Sequence, residues 1–182
     1  MTPGQFKQSA DLLVESLIES HYNAARQNTQ SISTSTFLNA YAGSGNVTQA
    51  IASALLTTGT MHAPLTSTRK VLDNFIATGD VYTARINQNS RFLGLGNSFF
   101  KNKIDPSFQQ TYEKLSLFYE LNQANNVLSL YVDKCNRQLN KVLYPNAAGI
   151  TAAVCIACKL DTFSEISIFT TGRIKGWLAL IH

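Results

Sequence analysis

The chain has 182 residues, of which 45% are hydrophobic and 14% charged, with a formal net charge of +4 at pH 7. That is enough to bury one sizeable core, and it fits one domain or one domain with a small lobe. No run of about 18 or more consecutive apolar residues occurs, and the N-terminus lacks the basic-then-apolar layout of a secretion signal, so no membrane span is expected and the setting expected is cytoplasmic. The three cysteines form no disulfide-framework spacing and are expected to be free thiols in a reducing compartment. Basic residues are scattered, with a mild concentration at Arg85, Arg91, Lys101 and Lys103. That set suits the phosphates of a nucleotide-like cofactor as well as a solvated helix face, and it is not the clustered footprint that polymeric nucleic acid requires.

Taken in chain order, the signals are helical. Thr2, Pro3 and Gln5 read as a capping box, and Leu12, Leu13, Leu17 and Ile18 supply an apolar stripe for a helix ending near Ser20. The polar stretch from Asn23 to Thr36 has a loop composition without a Pro or Gly to enforce one, so its structure stays open. Gly43 and Gly45 form a breaker. Asn46 is the expected N-cap of a helix through Ile51, Ala52, Leu55 and Leu56 that stops at Gly59. Pro64 opens a helix carrying Leu65, Val71, Leu72, Phe75 and Ile76, closed by Gly79, and a short helix is expected over Val81–Ile86.

Gly94-Leu-Gly96 reads as a loop. Asp105 and Pro106 then start a helix containing Phe108, Tyr112, Leu115 and Tyr119. Helices over about Asn125–Leu143 and Asn146–Leu160 flank Pro145, and a last one carries Ile166, Phe169, Ile174, Trp177 and Ile181. The expected fold class is all-α, about eight helices with no substantial sheet, and no alternating strand run, internal repeat or heptad array is visible.

Single polar residues carry little chemistry by themselves. His21, at the end of an amphipathic helix, is most simply a cap or surface residue. His62 precedes a helix start, where free N–H groups favour an anion and hold a nearby imidazole neutral, which suits an electrophile or a base. Cys155 and Cys158 are spaced C-x-x-C inside an apolar helical run, where thiols behave as small hydrophobes. With Cys135 and scattered histidines as the remaining donors, no metal site is expected. Gly94 and Gly96 lack the third glycine and the preceding strand of a dinucleotide fingerprint, and Trp177 reads as core.

The order of these features is more specific. Glu19-Ser-His21-Tyr-Asn23, Gly59-Thr-Met-His62, Gly94-Leu-Gly96-Asn97 with Lys101 and Asp105-Pro106, Pro145-Asn146, and Gly172-Arg173-Ile-Lys-Gly176-Trp177 follow one another along the chain. Together they resemble the signature blocks of the citrate synthase family, which includes the citryl-CoA lyase domains, from about Leu12 to Ile181. The last block is the most specific. The resemblance implies a citrate-synthase-like helical domain over 1–182, comprising the family's small domain and the C-terminal helices of its large domain, with the family's N-terminal part absent.

It also implies roles. His21 stands where a histidine contacts the carboxylate substrate. His62 stands where a second polarises the thioester carbonyl, although the flanking glycine is Ala63. Asn97 stands in place of a third, which polarises the ketone; an amide can donate a hydrogen bond but cannot transfer a proton. Ser98 follows it in place of a frequent arginine. Lys101, with Gly94 and Gly96, falls where the family binds the CoA phosphates, and Ser107 replaces a carboxylate-binding arginine. Ala148 occupies the position of the catalytic aspartate. Arg173 remains as a carboxylate clamp, for which lysine is no substitute.

The function implied is that of a divergent protein binding a CoA thioester as co-substrate and a small carboxylate, with no covalently bound cofactor. Its carbon–carbon bond-forming or cleaving activity, of acyltransferase or lyase type, is expected to be weak, altered or lost, because a base and an electrophile are replaced together. Asp161 and Glu165 are the carboxylates available as a displaced base. The alternatives are a non-catalytic assembly or regulatory module of the same fold, acting as a homo-oligomer or with a larger citrate-synthase-like subunit, and a helical structural protein.

Overall fold

The computed structural model describes residues 1–59, 63–81, 84–86 and 89–182, with residues 84–86 and 89–91 described by their backbone. Among these are eight helices: α1 (Pro3–Gln27), α2 (Ile32–Ser44), α3 (Val47–Leu56), α4 (Leu65–Thr78), α5 (Pro106–Leu121), α6 (Val127–Leu139), α7 (Ala147–Ala157) and α8 (Thr162–Leu178). Two three-residue strands, β1 (Ala84–Ile86) and β2 (Asn89–Arg91), pair antiparallel with Ala84 opposite Arg91 and Ile86 opposite Asn89. The all-α expectation holds, with this hairpin as a local addition.

The hairpin corrects the helix expected over 81–86. Residues 82–83 lie outside the described ones; of the strand itself, Ile86 is β-branched, which lowers helix propensity and favours extended backbone once a partner strand is present. A second difference is in α1, which runs to Gln27 rather than ending near Ser20. Nothing between Ser20 and Gln27 breaks a helix, and Ala24 and Ala25 extend the buried stripe. The open stretch then resolves into a turn at 28–31 and α2, whose N-cap Ser31 accepts from Thr34 N.

The remaining boundaries follow local chemistry. Thr2 and Gln5 form a reciprocal capping box, and Asn46, Asp105, Asn146 and Asp161 each accept a first-turn backbone N–H with a side-chain oxygen. Gly45 (φ 64°) and Gly79 (φ 72°) close α2 and α4 in the left-handed conformation, which costs glycine no steric penalty.

Helix α1 is the spine. It packs along α8 and α5 and touches α7, while α4 crosses α7 and α2 pairs with α3. Leu13, Leu17, Leu72, Phe108, Leu115, Leu128, Tyr131 and Ile150 form the main core, and Trp177 with Phe37, Ala25, Ala50 and Ala54 forms a second cluster under α2 and α3. Trp177 donates its indole N–H to Thr34 Oγ1 at 3.1 Å, which ties the end of α8 to α2. Between α1 and α5, Thr111 Oγ1 lies 2.8 Å from both Ser16 Oγ and Ser20 Oγ and donates to Ser16 O at 2.9 Å. One hydroxyl thus gives its single proton and accepts two, which fixes the register of the two helices inside an otherwise apolar contact.

The α1–α8 contact has no room for side chains. A Cβ at Gly172 would stand 2.5 Å from His21 Cβ and 2.6 Å from Ile18 O, and one at Gly176 would stand 2.5 Å from Tyr22 O and 2.6 Å from Ala25 Cβ. Gly172→Ala or Gly176→Ala is therefore expected to lower unfolding free energy by about 2 kcal/mol or more, the cost of overpacking outweighing a helix-propensity gain of about 1 kcal/mol. Gly43→Ala, in α2 with no atom within 4 Å of the new Cβ, is the control and should be neutral or stabilising in the same urea titration.

Candidate functional site

The close crossing of α1 and α8 brings two of the predicted residues together. His21, from α1, is fully buried, with its ring edge-on to Phe108 of α5 at 4.9 Å and to Phe169 of α8 at 5.0 Å. Its Nε2 lies 2.9 Å from Thr151 Oγ1 of α7, and Nδ1 is buried without a hydrogen-bond partner among the described residues. Burial first, and the nearby Arg173 charge second, hold its pKa well below 6.5, so the ring is neutral at pH 7. The simple reading of His21 as a cap or surface residue is overturned by its complete burial.

Arg173 follows Gly172 on α8 and stacks its guanidinium on the other partner of His21, with Cζ 5.4 Å from the Phe169 ring centre. It is 8% exposed, and its Nε is buried without a hydrogen-bond partner among the described residues. Burial pulls its pKa down to about 10, opposed by the negative charge of Asp105, so it stays protonated at neutral pH. Asp105 is itself 7% exposed and caps α5 through Ser107 N at 2.9 Å. A cleft of about 240 Å³ opens beside it, lined by Gln27–Gln30, Phe99, Phe100, Asp105 and Ser107. A larger groove of about 600 Å³ lies elsewhere, on the C-terminal end of α6 around Asn136 and Asn140, and contains none of the predicted residues.

Gly94 and Gly96 are brought to the start of α7. Gly94 (φ 82°) has Gly149 Cα and Thr68 Cγ2 each 3.1 Å from where a Cβ would be, and its carbonyl accepts from Asn146 N at 2.9 Å. Gly96 (φ 75°) donates its N–H to Tyr144 O at 2.8 Å and accepts from Asn146 Nδ2 at 3.0 Å. The Gly94–Gly96 and Pro145–Asn146 blocks are therefore one backbone-locked unit, in which the Gly96 N–H is already engaged by protein.

Asn97, which follows, turns its Oδ1 onto the backbone N–H groups of Phe99 (2.8 Å) and Phe100 (3.4 Å), the geometry of an Asx turn. Ser98 and Lys101 are exposed on the same segment. Ala148 is buried with Leu65 and Phe169, next to the partly buried Ala63. Ala63 holds a left-handed φ of 51°, a conformation that suits glycine and is uncommon for a residue with a Cβ. His62 lies outside the described residues, as do the side chains of Arg85 and Arg91.

Of the two carboxylates considered as displaced bases, Asp161 is exposed and engaged as the α8 N-cap, accepting from Ser164 N at 2.7 Å; the Ser164 hydroxyl first and this backbone N–H second lower its pKa. Glu165 is different. It is fully buried, neither oxygen has a hydrogen bond among the described residues, and Arg69 Nη1 stands 3.6 Å from Oε2 while that side chain also serves Asp73 and Leu160 O. Burial pushes its pKa up to about 7 against the pull of Arg69. The cysteines are all free and buried, with burial pushing Cys155 and Cys158 up to about 12, as expected for inert core thiols. No group of His, Cys, Asp and Glu able to hold a metal occurs among the described residues.

Thr151, Phe108 and Phe169 were not legible as site residues. The one available signal was a lone hydroxyl inside the apolar run Ala147–Ala157, where a threonine bonds back to the preceding turn.

This arrangement lies on a known architecture. No protein-family profile and no curated protein sequence matches the chain. Among solved structures, citryl-CoA lyase from Hydrogenobacter thermophilus superposes with a TM-score of 0.64 at 16% identity, over 94% of this chain and 67% of that one. The chain thus has a citrate-synthase-like helical fold. No helix among the described residues is long and apolar enough to cross a membrane.

Two buried groups give opposite pH dependences. Glu165, raised on folding from 4.5 to about 7, stabilises fully below pH 4.5 and loses that contribution as pH rises through 7. His21, lowered on folding, contributes above pH 6.5 and loses stability as pH falls below it. Glu165→Gln should therefore stabilise the chain at pH 8, by about 1–3 kcal/mol from the size of the shift, and much less at pH 5. Urea unfolding at the two pH values checks it, and an equal effect at both would contradict a buried, proton-linked carboxylate.

Proposed function

We propose that the chain binds a small carboxylate at Arg173 and His21, with a CoA thioester as the second ligand, and has lost ordinary citrate-synthase-type chemistry. The observation that carries this is the Arg173 guanidinium, buried on Phe169 with Nε unpartnered beside a neutral histidine that also has an unpartnered nitrogen. A buried, unsatisfied cation costs stability unless something pairs with it, and an arginine fork matches a carboxylate. Asp105 offsets the charge without filling the donor.

The loss of chemistry rests on what surrounds this donor. Ala148, at the position of the family's base, offers a methyl group among Leu65 and Phe169. Asn97 carries an amide that cannot transfer a proton, and its oxygen is held in its own turn. Ser107, at the position of the second carboxylate-binding arginine, lies against Gln27 Oε1 at 3.4 Å. Proton abstraction needs a group that can change charge, and General-base loss removes about two to four orders of magnitude of rate. Glu165 has a suitable pKa, but Arg69 holds it in a separate buried pair.

A second reading, assembly with another copy or with a larger subunit of the same fold, is favoured by large apolar side chains left in solvent: Leu56 is 86% exposed, Phe163 78% and Val142 66%. Sedimentation at micromolar concentration reports on it directly, and a monomer would count against it.

Calorimetric titration with acetyl-CoA, with and without oxaloacetate, tests the first reading. Binding that tightens when both are present supports a ternary pocket; a folded helical protein that binds neither contradicts it. Arg173→Ala should abolish carboxylate binding, a loss of tenfold or more, while changing stability by less than about 1 kcal/mol, because the side chain removed leaves its desolvation cost behind. Extensive unfolding of that variant would make Arg173 structural.

A further inference from the structure

Thr151 stands one turn into α7, and its Oγ1 is shared between two neighbours: it donates to Ala147 O at 2.6 Å and lies 2.9 Å from His21 Nε2. A threonine hydroxyl has one proton. An oxygen–oxygen separation of 2.6 Å requires that proton between the two atoms, since bare lone pairs at that distance would repel. Towards His21 the hydroxyl can then only accept, so Nε2 carries the ring hydrogen. In a neutral imidazole the other nitrogen is a lone pair, and Nδ1 is the buried atom without a partner.

Arg173 presents the complementary orphan, a buried Nε–H donor. Both side chains lie against the same ring, His21 at 5.0 Å and Arg173 at 5.4 Å from Phe169, and the α8 backbone at Gly172 presses on His21 itself.

We infer that Thr151 is a positioning residue that holds His21 as the Nε2–H tautomer, so that the site pairs an acceptor, His21 Nδ1, with a donor, Arg173 Nε–H, and selects a hydroxycarboxylate over the ketocarboxylate of the same skeleton. This rests on the reading of Arg173 as the carboxylate site. The carboxylate accepts from Arg173, and the adjacent hydroxyl donates to Nδ1. A ketone has only lone pairs to set against the lone pair of Nδ1, and a site built to pair a hydroxyl discriminates strongly against an analogue that lacks its proton.

The test combines two readouts on the whole chain. Long-range proton–nitrogen spectra of the 15N-labelled protein report the tautomer of His21, assigned by difference with His62→Gln and His182→Gln. Titrations with malate and with oxaloacetate report selectivity. Wild type and Thr151→Ser should show Nε2–H and bind malate at least about tenfold tighter, the discrimination one good hydrogen bond supplies. Thr151→Val should lose the single tautomer and most of that preference.

An Nδ1–H signal in wild type overturns the inference even if both acids bind at Arg173. Nε2–H together with equal or tighter oxaloacetate binding overturns the selectivity. Binding of neither acid overturns the carboxylate reading and the selection that depends on it. Should Thr151→Val fail to fold, the wild-type and Thr151→Ser spectra and titrations still decide the matter.

Discussion

The structure depends on the approach of two helix backbones. Gly172 and Gly176 are spaced to lie on one face of α8, and the absence of their side chains lets α1 come within contact distance of the α8 backbone at His21, Tyr22 and Ala25. Any side chain at either position would push the helices apart and move His21 away from Phe169 and Arg173. The same contact seats Trp177 one residue past Gly176, where it closes the second cluster over Phe37 and hydrogen-bonds Thr34. Packing at the end of α8 and polar chemistry in its middle are set by one crossing.

That crossing gives α8 an unusual burden for a core helix. It buries Glu165 near its start and Arg173 further along, with Phe169 between them and His21 across from it. Each of these polar groups keeps at least one atom unsatisfied, although most buried polar atoms in folded proteins find partners. Such orphans cost stability, and they concentrate where function competes with packing. Glu165 is coupled to Arg69 and so to α4; His21 and Arg173 share Phe169, and Arg173 feels the charge of Asp105.

Much of the fold could be read from the sequence, because its helix limits are set by local chemistry. The Thr2–Gln5 box, Asn46, Asp105-Pro106, Gly45 and Gly79 act within one turn of their own position, so a short window contains the whole cause. Two misreadings came from causes outside such a window. The strand pair β1–β2 depends on pairing with a neighbouring segment, and the extra length of α1 depends on Ala24 reaching the main core and Ala25 meeting Gly176, about 150 residues later. The order of the blocks pointed to the citrate-synthase-like architecture despite only 16% identity to the citryl-CoA lyase structure it superposes on. For the site, His21 and Arg173 were singled out by their place in that order, whereas Thr151, Phe108 and Phe169 look like any core residues until the helices are packed. The engagement of the Gly96 N–H with Tyr144 O and of Asn97 with its own turn is likewise invisible in one dimension.

A crystal structure of the chain grown with citrate tests the central claim most directly, namely that the α1–α8 crossing builds a carboxylate site from Arg173 and His21. A carboxylate within hydrogen-bond distance of Arg173 Nε, with the citrate hydroxyl on His21 Nδ1 and the Gly172 contact intact, is the expected result. Citrate confined to exposed lysines, or absent while Arg173 and His21 keep the same unpaired atoms, would contradict it.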